Sequence, residues 1–214
     1  MDGLLPRISI ELPEESSGAG QGPFDPDALF PQPHSDLWLE IGFGSGEHLL
    51  HQALTHRDIA LIGCEPFVNG MANLLMGIER ENVENIRVFP DDGRLLLESL
   101  PDACLGRIFI LFSDPWRKKK HHKRRLIGTE TVAELARVMK PGAELRFASD
   151  HMNYIDWALD HLTRSPDFDW CARRPADWRE RPSDACETRY EAKALAAGRK
   201  PAYLRFERRA TPNP

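Results

Sequence analysis

No apolar run in this chain approaches the roughly 18 residues that a membrane-crossing helix needs, so no membrane span is expected. The first residues, MDGLLPRISIELPEE, lack the basic start and long apolar stretch of a secretory signal, and the cytoplasm is the expected compartment. Cysteine is scarce. Cys64, Cys104, Cys171 and Cys186 are the 4 present, and no two are spaced Cys-x-x-Cys. A zinc site needs ligand pairs at short spacing, so no metal is expected, and the thiols read as small buried apolar groups in a reducing compartment. Positive charge is in deficit too: 28 Lys and Arg face 33 Asp and Glu, for a net charge of −5. Taken as a whole, such a balance argues mildly against nucleic acid as a partner.

What is present qualifies that last exclusion. The segment Arg117-Lys118-Lys119-Lys120-His121-His122-Lys123-Arg124-Arg125 carries no acid at all. Screening confines the reach of charges to about 8–10 Å in physiological salt, so the local potential decides whether phosphate binds. A focused basic loop on an acidic protein is therefore compatible with RNA. His121 and His122 are adjacent, without the further spacing that a metal site would need.

The length of 214 residues and the 41% hydrophobic content fit one domain with a full core. Residues 1–35 are rich in Pro, Gly, Ser and acids; Pro23, Pro26, Pro31 and Pro33 are too dense for a helix or a central strand, and predict an irregular arm. The domain itself is expected over 36–210. There, short β-forming runs recur at Leu37–Leu39, Ile59–Ile62, Ile86–Phe89, Ile108–Phe112 and Leu145–Phe147. Helical stripes lie between them: Leu49, Leu50, Ala53 and Leu54, then Val132, Leu135, Ala136 and Met139, then Ile155, Leu159 and Leu162. Lys140-Pro141-Gly142 is read as the stop of the second helix. There are no internal repeats. Strands alternating with helices predict an α/β, doubly wound, mostly parallel sheet, with ligands at the carboxyl ends of its strands.

Three such ends carry acids. The first run leads into Glu40-Ile41-Gly42-Phe43-Gly44-Ser45-Gly46. A phosphate-binding P-loop would end in Gly-Lys-Ser/Thr, and a dinucleotide fingerprint would place glycine where Glu47 stands. The remaining reading, acid-x-Gly-x-Gly-x-Gly, suits S-adenosylmethionine, a cationic ligand without phosphate that Glu40 would attract. Glu65 follows the second run and is placed to accept two ribose hydroxyls. Asp91-Asp92-Gly93 follows the third; alone it is a turn or helix cap, but in series with the other two it becomes a candidate for the adenine amino group. After the fourth run comes Ser113-Asp114-Pro115-Trp116, in which the Asp-Pro step forces an extended turn that presents a carboxylate and an indole at the mouth of the site. Trp116 reads equally as a nucleoside platform or as ordinary burial.

The segment from Asp114 to Arg125 resembles the Asp-Pro-Trp-x-Lys-x-x-His-x-Lys-Arg-Arg motif of the bacterial tRNA (guanine-N7)-methyltransferases. The Glu-Ile-Gly-Phe-Gly loop of that family matches Glu40 to Gly44. Its Asp before a short aromatic segment matches Asp150, and its Thr-Lys/Arg-Phe/Tyr-Glu motif matches Thr188-Arg189-Tyr190-Glu191. The resemblance runs from residue 37 to about 208. It implies a seven-stranded, Rossmann-like sheet of the class I methyltransferase type, acting on the guanine at position 46 of the tRNA variable loop. It further implies S-adenosylmethionine contacts at Glu40, Gly42, Gly44, Glu65, Asp92 and Asp114, with Asp114 as the active-site residue, and substrate contacts at Lys118, Asp150, Thr188, Arg189, Tyr190 and Glu191. The family commonly has Pro where this chain has Ser113, and many members carry a basic N-terminal arm that this sequence lacks.

Guanine N7 bears a free lone pair and no proton, so neither a general base nor a metal is required; the expected reaction is a direct in-line displacement governed by positioning and electrostatics. Two other functions compete: a methyltransferase for another RNA or a small molecule, and a non-catalytic RNA-binding protein on the same scaffold. The basic segment disfavours the small molecule, and the intact series of acids disfavours the non-catalytic protein. Thr188-x-x-Glu191 is also a helix capping box, with Gly198 as its stop. Nothing in the sequence sets an oligomeric state.

Overall fold

The computed structural model describes residues 3–12 and 24–210. In chain order its elements are α1 (Leu5–Ile8), β1 (Asp36–Ile41), α2 (Glu47–Thr55), β2 (Ile59–Cys64), α3 (Val68–Glu81), β3 (Ile86–Phe89), α4 (Gly93–Ser99), β4 (Leu105–Leu111), α5 (Thr129–Val138), β5 (Met139–Ser149), α6 (Met152–Arg164), β6 (Phe168–Trp170), α7 (Ala176–Arg179), α8 (Arg189–Ala196) and β7 (Ala202–Arg208). Single 3-10 turns occur at Asp27–Leu29 and Lys119–Arg124.

The seven strands form one sheet in the order β3-β2-β1-β4-β5-β7-β6. Strands β1 to β5 run parallel, and β7 lies antiparallel to both β5 and β6. This is the doubly wound, mostly parallel α/β sheet that the alternation predicts. The winding direction reverses at β1, which pairs with β2 on one side and β4 on the other. A crevice opens at such a switch point, at the carboxyl ends of the strands.

Period-two alternation divides the strand side chains between two cores. Leu37, Leu39, Ile41, Ile108, Ile110 and Phe147 pack with Leu96, Leu135, Tyr154 and Ala158 of α4, α5 and α6. Trp38, Leu61, Val88 and Phe109 pack with Leu49, Ala53, Met71 and Leu74 of α2 and α3. Among the described residues no helix is long and apolar enough to cross a membrane.

Two details differ from the sequence reading. Met139 is the first residue of β5, paired with Leu105, rather than the last turn of α5. Lys140-Pro141-Gly142 belongs to an irregularity inside the strand: Pro141 cannot donate to the ladder, Gly142 adopts φ +79°, and the register with β4 shifts before Arg107 meets Glu144. The second difference lies in the N-terminal stretch expected to be irregular. Ser9 bridges in parallel to Val88, Ile10 N–H donates to the Val88 carbonyl at 2.8 Å, and Ile8 and Ile10 are buried. The segment covers the otherwise open edge of β3. Pro23 lies outside the described residues.

Candidate active site

The turn after β1 is made possible by glycine. Gly42, Gly44 and Gly46 have φ of +79°, +58° and +81°, a left-handed region that side chains disfavour. The loop is also pressed from two sides. A Cβ on Gly70 of α3 would fall 1.9 Å from the Gly44 carbonyl oxygen, and a Cβ on Gly44 would fall 2.9 Å from Cε2 of Tyr190 in α8. Glu65, the first residue beyond β2, fastens the loop: its Oε2 accepts from Gly44 N–H at 2.8 Å and its Oε1 from Phe67 N–H at 3.0 Å. Burial pushes the Glu65 carboxyl above the usual range; those two donors pull it down, and nearby Asp114 pushes it further up. Asp92 caps α4, accepting from Arg94 N–H at 3.0 Å through Oδ1 and from Arg94 Nη1 at 2.9 Å through Oδ2.

The turn after β4 is held against backbone preference. Phe112 and Trp116 have φ of +54° and +43°, unfavourable for bulky side chains, and they bracket Ser113-Asp114-Pro115. Phe112 N–H extends the ladder to the Ala148 carbonyl at 2.8 Å. Asp114 is exposed at the crest. Trp116 is half-buried, with the Arg124 guanidinium 5.0 Å from its ring centre. Arg94 links the cap of α4 to the end of the basic segment: besides Asp92 it reaches the carbonyls of Arg124 and Arg125 at 3.1 and 3.3 Å.

These turns enclose a cleft of about 490 Å³ whose walls include Gly42, Gly44, Glu65, Phe67, Asp114, Arg189 and Tyr190. A shallower extension of about 150 Å³ shares Gly42, Pro66, Ser113 and Asp114 with it, and adds Asp92, Arg94, Trp116 and Arg124. The larger hollow is of the size that holds a cofactor or nucleoside. Gly42, Gly44, Glu65, Asp92, Asp114, Arg189 and Tyr190 are thus brought together.

Glu40 is not among the residues that line these two hollows. It is 2% exposed, and its Oε2 accepts from Nδ1–H of His48 at 2.7 Å. The reason is register. Glu40 still pairs inside the sheet, with Gly63 and Phe109, so its side chain must point to one face. Glu65, Asp92 and Asp114 come after their strands and are free to turn into the crevice. With Nδ1 donating to Glu40, His48 Nε2 faces Gln52 Nε2 at 3.3 Å, and Gln52 Nε2 also donates to the Asp184 carbonyl at 2.8 Å.

Lys118 and Asp150 lie outside the cleft walls. Lys118 is exposed at the start of the basic turn, and Asp150 is paired with Arg199 beyond α8. Thr188 and Glu191 are buried beneath α8. Thr188 Oγ1 caps the helix by accepting from Glu191 N–H at 3.2 Å. The Glu191 carboxylate does not return to the cap; it accepts from Tyr203 O–H and pairs with Arg181 at 3.3 Å. A helix N-terminus turns its first and fourth positions to the same side, so only Arg189 and Tyr190 reach the cleft. Gly198, at φ +71°, ends the helix region. The sequence reading missed Phe67, 69% exposed on the cleft rim, although an aromatic two residues past a strand-end acid marks it; it also missed Arg94 and the partner of Glu40. Among the described residues no group of three or more His, Cys, Asp or Glu is arranged to hold a metal. The cysteines are free, and burial pushes the thiols of Cys104 and Cys186 up to about 11.

Comparison with known proteins decides the family. A family model described as "Putative methyltransferase" matches residues 34–204. The tRNA (guanine-N(7)-)-methyltransferase of Rhodospirillum rubrum is 51% identical over 210 residues, which cover 98% of this chain and 81% of the relative. That of Nitrobacter winogradskyi is 49% identical over 208 residues, covering 97% and 79%. This chain belongs to the tRNA (guanine-N7)-methyltransferase family. The fold is that of methyltransferases more widely: the crystal structure of an rRNA methylase from Streptococcus thermophilus superposes with a TM-score of 0.57 at 10% identity, over 83% of this chain and 89% of that one. The region matched to the family contains every strand-end residue described above.

Proposed function

We propose that this protein methylates N7 of a guanine in tRNA, at position 46 of the variable loop, with S-adenosylmethionine as the methyl donor. The observation that carries the reading is the junction of two unlike surfaces: a cleft lined by Glu65, Asp92 and Asp114, continuous with a basic turn. No ion pair among the described residues involves Arg117 to Arg125. A cytoplasmic place of action accords with such a substrate.

The donor set fits the methyl donor. Three carboxylates, Glu65, Asp92 and Asp114, favour a ligand bearing a sulfonium and an amine. S-adenosylmethionine supplies an electrophilic methyl group when bound. Glu65 would hold the ribose and Asp92 the adenine side, while Gly42 and Gly44 let the backbone come close. Glu40 would support the loop from behind, through its contact with His48.

For the substrate, Asp114 places an exposed carboxylate where guanine N1–H and N2–H can donate to it. The same charge stabilises the positive charge that develops on the base as N7 is alkylated. Arg189 and Tyr190 form the opposite wall. Lys118 would meet phosphate, Asp150 would exchange Arg199 for substrate, and Thr188 and Glu191 would serve by fixing α8. The deciding experiment is transfer of labelled methyl to unmodified tRNA, followed by nucleoside analysis and mapping. Label in 7-methylguanosine at position 46 is expected. Label in another nucleoside, or none despite cofactor binding by calorimetry, overturns the reading.

A further inference from the structure

The basic segment is uniform in sequence but divided in space. Lys118, Lys119, Lys120, Lys123 and Arg124 are exposed, whereas Arg125 is 3% exposed. Its guanidinium is almost fully committed. Nε donates to the Pro115 carbonyl at 2.9 Å, Nη1 to the Asn153 carbonyl at 3.3 Å, and Nη2 to Asn153 Oδ1 at 2.7 Å, while Nη2 also lies 3.2 Å from His122 Nε2. Four of the five donors of an arginine are thereby used. The guanidinium carbon stands 5.0 Å from the Tyr154 ring centre and 5.1 Å from that of Trp157. A side chain sealed between two aromatic rings, with one N–H to spare, cannot also grip a phosphate bidentately.

What it grips instead is the turn that carries Asp114. Pro115 follows Asp114 directly and lies between Phe112 and Trp116, whose left-handed backbones need an external hold. Arg125 supplies it, anchoring the Pro115 carbonyl to the first turn of α6 through Asn153. Through His122 and its own backbone, the same residue also fixes the exit of the basic 3-10 turn; Arg125 N–H donates to the His122 carbonyl at 3.0 Å.

We infer that Arg125 is a positioning residue for Asp114, not a phosphate ligand, and that it couples the RNA-binding turn to the active-site turn. The inference rests on the assignment of Asp114 made above. Lysine retains the charge but has neither Nε–H nor the planar fork, so it cannot span Pro115 and Asn153 together.

The test is steady-state methyl transfer to tRNA at several salt concentrations by Arg125→Lys, Asn153→Ala, Asp114→Ala and Arg124→Gln, each first checked for folding by circular dichroism and thermal melting. Arg125→Lys is expected to lower kcat at least tenfold, with the tRNA KM and the salt dependence of tRNA binding near wild type. Asn153→Ala, which removes one acceptor only, is expected to show the same pattern more weakly, and it carries the test should Arg125→Lys fail to fold. Arg124→Gln is expected to do the opposite: a raised KM and a shallower salt dependence, with the larger part of its effect in KM. If Arg125→Lys or Asn153→Ala keeps kcat while Asp114→Ala is inactive, the inference is overturned and the assignment of Asp114 stands. If Arg125→Lys raises KM and flattens the salt dependence as Arg124→Gln does, Arg125 is a phosphate ligand. If Asp114→Ala is active, the assignment of Asp114 falls, and the inference with it.

Discussion

The two sides of the cleft are built by different means. On the glycine-loop side, shape comes from what side chains leave out: Gly44 and Gly70 lack a Cβ where one would collide, and Glu65 ties the loop with backbone donors. On the Asp114 side, shape comes from what side chains impose: two aromatics in left-handed conformation bracket a turn whose Pro115 carbonyl accepts from a buried arginine. The first arrangement suits a small ligand that must meet backbone closely. The second suits a reactive carboxylate that must stand exposed yet fixed. The sides should therefore fail differently, one in cofactor binding and the other in turnover.

The largest effect is expected on the imposed side. Asp114→Ala removes an exposed carboxylate and nothing from the core, so melting temperature should be unchanged while methyl transfer falls about 10²–10³-fold, as when one preorganised electrostatic group is removed. Asp114→Asn separates charge from hydrogen bonding. Near-normal turnover with Ala would make the turn structural and erase the contrast. Next comes the outer face of the same turn. Charge reversal at Lys120 and Lys123, which line neither hollow, should raise the tRNA KM strongly and leave the cofactor Kd unchanged. Each phosphate that is no longer neutralised should reduce the slope of log K against log salt by about 0.7–0.9. A salt-independent wild-type affinity would refute a phosphate role for the whole turn.

These contrasts mark how far the sequence can be read. The five parallel strands are legible because each is a short apolar run with a turn signal behind it, and three of the four acids reach the cleft because they follow their strands. Glu40 differs because a pattern of letters does not tell whether the last acid still pairs within the ladder; it lies opposite Gly63, two positions short of the place that matches Glu65, and is buried against His48. Arg125 is illegible for a related reason. In a run of nine residues without an acid, composition gives no sign of which cation turns inward. Strand β6 has one buried residue, Phe168, and so no periodicity to show. In Thr188-Arg189-Tyr190-Glu191 the capping box is legible, but the division it imposes, two residues under the helix and two over the cleft, follows only from the helix being docked.

A smaller effect is expected on the glycine-loop side. Glu65→Ala should weaken cofactor binding about tenfold, the loss of a charge-assisted acceptor offset by retained backbone contacts. The raised carboxyl gives this site a pH signature. The ionised form is the acceptor for ribose hydroxyls, so cofactor affinity should fall as pH is lowered, beginning above the usual glutamate range, and binding should release a proton. Folding stability runs the other way: a carboxyl raised in the native state is least costly when protonated, so its contribution diminishes as pH rises through that value. Calorimetry in buffers of different ionisation enthalpy, repeated as pH is lowered into the acid range, measures the released proton, and its absence throughout that range in wild type would remove Glu65 from the ligand contacts.

The smallest effect is expected away from both turns, where the chain leading to α8 is fastened to the sheet. Asp184 is held by Arg146 in a bidentate pair at 2.7 and 2.8 Å, and that guanidinium keeps its carboxyl at about 2, below the usual 3.8. A depressed carboxyl contributes stability that is fully present above its unfolded value and is lost as pH falls through the native one. Asp184→Asn keeps the size and one acceptor while removing the charge. The backbone carbonyl at this position still receives Gln52, so α8 should stay docked and turnover should change little. Part of the Asp184 side chain is open to solvent, which weakens the pair by screening and holds the expected loss to a modest shift in denaturation midpoint. Urea denaturation at pH 7, 4 and 3 should show the gap between wild type and variant constant at the first two and narrowing at the third. A gap that does not narrow would mean that the substituted amide disrupts packing rather than charge. A large loss of turnover without loss of stability would mean that the Arg146–Asp184 link bears on the cleft as well, and that the two sides are less independent than their construction suggests.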